Sequence, residues 1–134
     1  MSKNQLFHGR MVLNTHGAYD GPTEWTNPDW QTAEARIRSL NGKERDQVVL
    51  VMDDETSLLI GGGPDVFVCS VMTVKGEYQI ANPRLSKDQV VKVMNGQLTE
   101  YVAAHTSDFE NVLLAAKWFF LNGDIDPSLS WERV

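Results

Sequence analysis

Few residues in this chain have the types and spacing that chemistry needs. There are three histidines, His8, His16 and His105. None stands at ligand spacing from another His or from a Cys, so no metal centre is predicted. A single imidazole of this kind is ordinarily a surface or structural group. Cys69 lies among Val66, Phe67, Val68 and Val71. A nucleophilic thiolate needs an exposed, electropositive setting, so Cys69 is read as a small core residue. Gly61-Gly62-Gly63 offers the backbone N–H groups that cradle phosphate. A phosphate loop continues into Lys-Ser or Lys-Thr and a helix, whereas Pro64 and an apolar run follow here. A tight turn is the expected structure.

The carboxylates are the remaining candidates. Asp53, Asp54 and Glu55 form the densest acidic cluster. Paired carboxylates can bind a cation or act as acid and base, but this run lacks the spaced oxygen ligands and Gly of an EF-hand loop. It reads as a solvated turn or as part of an acidic contact surface. Asp20, Glu24 and Trp25 share a polar loop, where acidic and aromatic groups side by side suit a binding hot spot. Asp124 and Asp126 follow the last helical segment, where negative charge opposes the negative helix end. No catalytic residues and no cofactor are expected from this inventory, which favours binding over catalysis.

Charge narrows the partner. The chain carries 18 acids against 12 bases, a formal net charge of −6. Between Leu98 and Val134 there are six acids and two bases, so this part holds most of the excess. General binding to nucleic-acid backbones needs Lys and Arg to displace counterions, and is disfavoured. A basic protein partner fits the balance, although solubility alone also accounts for it. One cysteine cannot make an internal disulfide, in keeping with a reduced, cytoplasmic setting. No basic start leads into an apolar signal region, and no apolar stretch nears the roughly 18 residues of a membrane span.

The elements that must position these groups follow from pattern and punctuation. With 134 residues, a single domain is expected over 1–134, with residues 1–9 frayed. Met11–Leu13 is a short strand. Asn27-Pro28 opens a helix whose buried face is Trp30, Ala33, Ile37 and Leu40, and Asn41-Gly42 closes it. Strands are expected at 47–52, 57–60, 65–74, 77–81, 89–94 and 97–103. Asn95-Gly96 is the strongest hairpin signal. Ser107 with Glu110 forms a capping box for a second helix, with Phe109, Val112, Leu113, Ala116 and Phe120 on one face and Asn122-Gly123 at its end. Trp131 pins the tail onto the body. Without helices between successive strands, a parallel sheet is disfavoured. The fold class is α+β, a mainly antiparallel sheet of about five to six strands packed with two helices.

The second half of the chain resembles the Imm1 family of bacterial immunity proteins. Ala115-Ala116-Lys117-Trp118-Phe119-Phe120 is similar to that family's Ala-Ala-x-x-Phe-Phe helix. Asn122-Gly123, Pro127 and Trp131-Glu132 resemble its Gly, Pro and terminal Trp-Glu signature, with Asp124-Ile125-Asp126 intervening here. Leu59-Ile60-Gly61-Gly62 resembles its strand-and-glycine element, and Asn95-Gly96-Gln97 its Gly-Gln hairpin, with Asn95 in place of the usual Gly. The likeness runs from Leu58 onward. It implies an antitoxin of bacterial competition systems, a toxin inhibitor without chemistry of its own. The partner would be a cognate polymorphic toxin domain, a nucleic-acid deaminase or a nuclease, with its active site or substrate groove occluded. Such a toxin is basic at its working face. The contact candidates are then Asp53, Asp54 and Glu55 first, Asp20, Glu24 and Trp25 second, and Asp124 and Asp126 third. Two other readings stay open: an acidic adaptor or chaperone-like module of a secretion system, and a small enzyme that uses His105 with a carboxylate.

Overall fold

A computed structural model of the protein describes residues 6–15 and 22–134. His16 and Asp20 fall outside these residues. The architecture is α+β: a seven-stranded antiparallel sheet plus a separate hairpin, packed with two helices.

Alternation builds the sheet. Strand β3 (Arg45–Asp53) buries Val48 and Leu50 on one face and leaves Gln47, Val49 and Val51 on the other. Its neighbours β1 (Arg10–Thr15) and β4 (Thr56–Gly62), and β5 (Phe67–Thr73) beyond β4, continue the same core face. One row of core residues therefore runs Leu13, Val48, Ile60, Cys69 across the sheet. The order is β2-β1-β3-β4-β5-β6-β9, with β2 (Thr23–Thr26) and β9 (Trp131–Arg133) at the edges and β6 (Gly76–Ile80) inside β9.

Both edge strands differ from the expectation of a loop and a tail. Neither has enough apolar alternation to be read locally. Each forms because a longer neighbour offers unpaired backbone groups: β1 pairs with β2, and β6 with β9.

Helices α1 (Trp30–Arg38) and α2 (Phe109–Asn122) cover the core face. Their caps stand two residues and one residue later than the sequence suggested. Asp29, not Asn27, caps α1, accepting from the Thr32 N–H at 2.7 Å. Asn27 takes a positive φ of 47° and accepts from the Gly9 N–H instead. Asp108, not Ser107, caps α2 through the Asn111 N–H at 2.9 Å. Ser107 is held back because its backbone bridges to Phe67. The C-terminal Gly123 is left-handed, as a C-cap glycine should be.

The expectation that residues 1–9 are frayed fails at Phe7. Its side chain is fully buried, with ring centroids 6.0 Å from Phe119 and 5.4 Å from Phe120, and its N–H donates to Pro28. A single aromatic in a polar stretch gives no periodic signal, yet the Phe pair of α2 leaves a place for it.

The hairpin of β7 (Val90–Asn95) and β8 (Gln97–Val102) lies on the opposite face, against β4. Glycines permit the close approach. A Cβ on Gly61 would lie 2.4 Å from Asn95 Oδ1, and one on Gly62 would lie 2.8 Å from a Val93 methyl carbon. Gly61 and Gly62 thus end β4 as a docking platform rather than forming the expected turn. Only Gly96 separates the hairpin strands, and Asn95 stays paired with Gln97. The Asn95 side chain is used elsewhere. A polar chain runs from Asn14 to Gln47 (2.6 Å), from Gln47 to Asn95 (2.7 Å) and from Asn95 to the Tyr101 hydroxyl (2.8 Å). Buried Asp46 accepts from the Gly96 N–H at 2.6 Å.

Phe7→Ala is expected to cost about 3–5 kcal/mol, the usual range for a fully buried Phe. Urea unfolding measures it; a loss within error of zero would show that the segment before β1 contributes nothing to the core.

Candidate interaction surface

Three of the acidic candidates, Glu24, Asp53 and Asp54, come together because of how three strands end together. At the end of β3 a bulge between Val51 and Asp53 shifts the register, and Asp53 pairs with Thr56 across a two-residue turn. The Asp53 carboxylate accepts from the Glu55 N–H at 2.8 Å, which fixes the turn. Asp53, Asp54 and Glu55 are all exposed. On β1 Arg10 pairs with Thr26 of β2 on one side and Val51 of β3 on the other. These strand ends enclose an open groove of about 380 Å³, lined among others by Arg10, Glu24, Met52, Asp53 and Asp54. Glu24 reaches Arg10 at 3.6 Å, with both side chains about half exposed. Such an exposed pair is weak and easily exchanged for another partner.

The structure separates Glu24 from Trp25. They are consecutive on a strand rather than in a loop, so their side chains leave on opposite faces. Trp25 pairs with Met11, is half-buried, and has Arg36 stacked 5.2 Å from its ring. It packs at the margin of the core and does not line the groove.

Asp124 and Asp126 also part company. A Cβ on Gly123 would lie 2.8 Å from Met52 Sδ, so the end of α2 meets the end of β3. Asp124 follows directly and stands at the same end of the sheet as Asp53. Asp126 is buried, and its Oδ1 accepts from the Ser128 N–H at 2.8 Å and hydroxyl at 2.7 Å. Its carbonyl accepts from the Trp131 indole at 2.9 Å. Asp126 is a turn-forming residue that seats the tail, which takes it out of any contact surface.

A second polar group escaped local reading. His105 ends the short helical turn Ala103–His105 that leads into α2, and its Nε2 hydrogen-bonds Glu132 on β9. Lys87 reaches the other Glu132 oxygen at 3.4 Å. The His105 contact, with Lys87 beside it, holds the Glu132 carboxyl below the usual glutamate range. The pair ties the edge strand to the turn. A Glu 27 residues from its His gives no spacing signal. Cys69 is buried and its thiol is pushed well above its ordinary value, so the protonated form persists. His8 is exposed. Among the described residues, no three of His, Cys, Asp and Glu are grouped to hold a metal ion, and no helix is long and apolar enough to cross a membrane.

Comparison with known protein families finds no family model that matches the chain, and comparison with curated proteins finds no significant match. The likeness to Imm1 proteins therefore rests on the motif residues alone.

Because Glu132 titrates lower in the folded chain than in the unfolded one, its contribution is present above the ordinary glutamate range. It is lost as pH falls through the depressed value. Glu132→Gln is expected to melt below the parent protein near neutral pH, with the gap closing in acid. A gap that stays constant across the acid limb would remove Glu132 from the linkage.

Proposed function

We propose that this chain is an immunity protein that binds and neutralises a cognate toxin domain acting on nucleic acid, in the cytoplasm of the producing cell. Binding alone is enough for this. The chain covers the active site or substrate groove, and the toxin does not reach its substrate. The observation that carries this reading is the gathering of Glu24, Asp53 and Asp54 around one open groove, with Glu55 and Asp124 at the same end of the sheet. A toxin that handles nucleic acid presents basic side chains where phosphates lie. A fixed set of carboxylates on rigid strand ends answers those charges and speeds encounter. Met52 lines the same groove, which gives a basic partner an apolar contact as well as charge. The Imm1-like motif residues support the same reading. Several of them, among them Phe119, Phe120, Gly61 and Gly62, are buried here and would maintain the fold while the acidic rim varies with the partner.

Co-expression with the toxin domain encoded beside this chain's gene tests the proposal. Cell survival and a complex that co-purifies at moderate salt are expected. If both proteins fold and neither rescue nor complex appears, the immunity reading fails and the adaptor reading takes its place.

Reversing charge at Asp53 and Asp54 together (Asp53→Lys, Asp54→Lys) is expected to weaken toxin binding by roughly tenfold or more and to flatten its salt dependence. Calorimetry at two salt concentrations reads both. Unchanged affinity and salt slope would take the β3–β4 turn out of the interface. Asp126→Ala is expected to do the reverse, lowering the melting temperature while leaving affinity near that of the parent.

A further inference from the structure

We propose that the solvent face of the β7–β8 hairpin is where two copies of this chain meet. This does not depend on the immunity reading, because the face lies apart from the acidic groove. The hairpin turns Val93 and Asn95 inward onto Gly62 and Gly61. Alternation then sends Val90, Lys92 and Met94 of β7 outward, with their partners Val102, Glu100 and Leu98 of β8. Two apolar rows, Val90 with Val102 and Met94 with Leu98, flank one charged row, Lys92 with Glu100. Val90 is 61% exposed and Leu98 59%, far more than aliphatic side chains with a packing partner would be. The apolar surface continues past Met94 and Leu98 onto Pro64 and Val66, along an open groove of about 290 Å³.

Charge decides the occupant. The chain as a whole carries −6, so identical copies repel over most of their surface. The outward residues of the hairpin itself carry one positive and one negative group, Lys92 and Glu100, and so no net charge, while Asp65 stands beyond them on the rim of the adjoining groove. A basic partner gains nothing by docking here. A second copy does, because the face is complementary to itself. With the two-fold axis running along the strands, Lys92 of one copy lies over Glu100 of the other, and Glu100 over Lys92. The same operation sets Val90 over Val102 and Met94 over Leu98. An axis across the strands would set Lys92 over Lys92, which like charge forbids. Neither Lys92 nor Glu100 makes an ion pair within 4.0 Å with another described residue, so both charges are available to the second copy. Sheet faces that meet in this way exclude water from both apolar rows and leave the charged row bridged at the centre.

Sedimentation velocity on the full chain, from low micromolar to several hundred micromolar, tests the proposal. The parent protein is expected to pass from monomer to dimer. Lys92→Glu alone and Glu100→Lys alone are each expected to dimerise at least about tenfold more weakly, because each makes the face single-signed. An equimolar mixture of the two variants is expected to form a heterodimer, and the double variant Lys92→Glu, Glu100→Lys is expected to dimerise like the parent. All of these changes are at exposed positions, and circular dichroism confirms folding. A parent that stays monomeric at every concentration overturns the proposal. So does dimerisation that survives either single reversal unchanged, or a mixture of the two variants in which no heterodimer forms.

Discussion

The contact between the hairpin and the end of β4 constrains the rest of the molecule. At Gly61 and Gly62 the backbone of the sheet comes so close to Asn95 and Val93 that no side chain fits between them. Gly63 meets the carbonyl of Leu40 in the same manner, so the segment that leaves α1 is packed against the same short run. The helix layer, the sheet and the hairpin therefore meet at three consecutive glycines. A two-stranded hairpin is marginal in water by itself. Here its inward face is held by close packing and by the hydrogen-bonded chain from Asn14 through Gln47 to Asn95. Asp46 fixes the turn from below through Gly96.

Once the hairpin covers the middle of the outer face, the two ends of the sheet differ in character. At one end the strand termini of β1, β2 and β3 leave carboxylates around an open groove. At the other, the β9 edge is tied down by His105, Lys87 and Glu132 and by the Trp131 indole on the Asp126 carbonyl. The acidic rim stands on a bulge, a tight turn and a helix end, none of which needs those carboxylates to keep its backbone path except where Asp53 accepts from the Glu55 N–H and Asp124 from the Ile125 N–H. Side chains so placed can change with a partner at little cost to stability, since exposed substitutions away from core contacts usually have small effects.

Position in the fold gives similar residues different roles. Asp124 and Asp126 are two residues apart, yet one stands at the sheet end and the other is enclosed by Ser128 and the indole of Trp131. Glu24 and Trp25 are adjacent, yet one borders the groove and the other carries the Arg36 guanidinium over its ring at the core margin. Lys92 and Glu100, eight positions apart, become neighbours only through the register of a hairpin.

Local periodicity and punctuation were readable in the chain before any fold was known. The apolar alternation of β3 and β5, the helical spacing from Val112 to Phe120 and the left-handed Gly123 are local properties, and the α+β class with a mainly antiparallel sheet follows from them. The exposed acidic turn after β3 was legible for the same reason. The remainder depends on pairing over long separations, and only folding settled it. Strands β2 and β9 exist only beside β1 and β6, Phe7 is core only because α2 offers Phe119 and Phe120, and Asp29 displaces Asn27 as a cap only because Gly9 engages Asn27. The same holds for the grouping of Glu24 with Asp53 and of His105 with Glu132. A local pattern carries no information about which distant segment will supply the missing hydrogen bond or the missing ring, and that supply is what placed these residues.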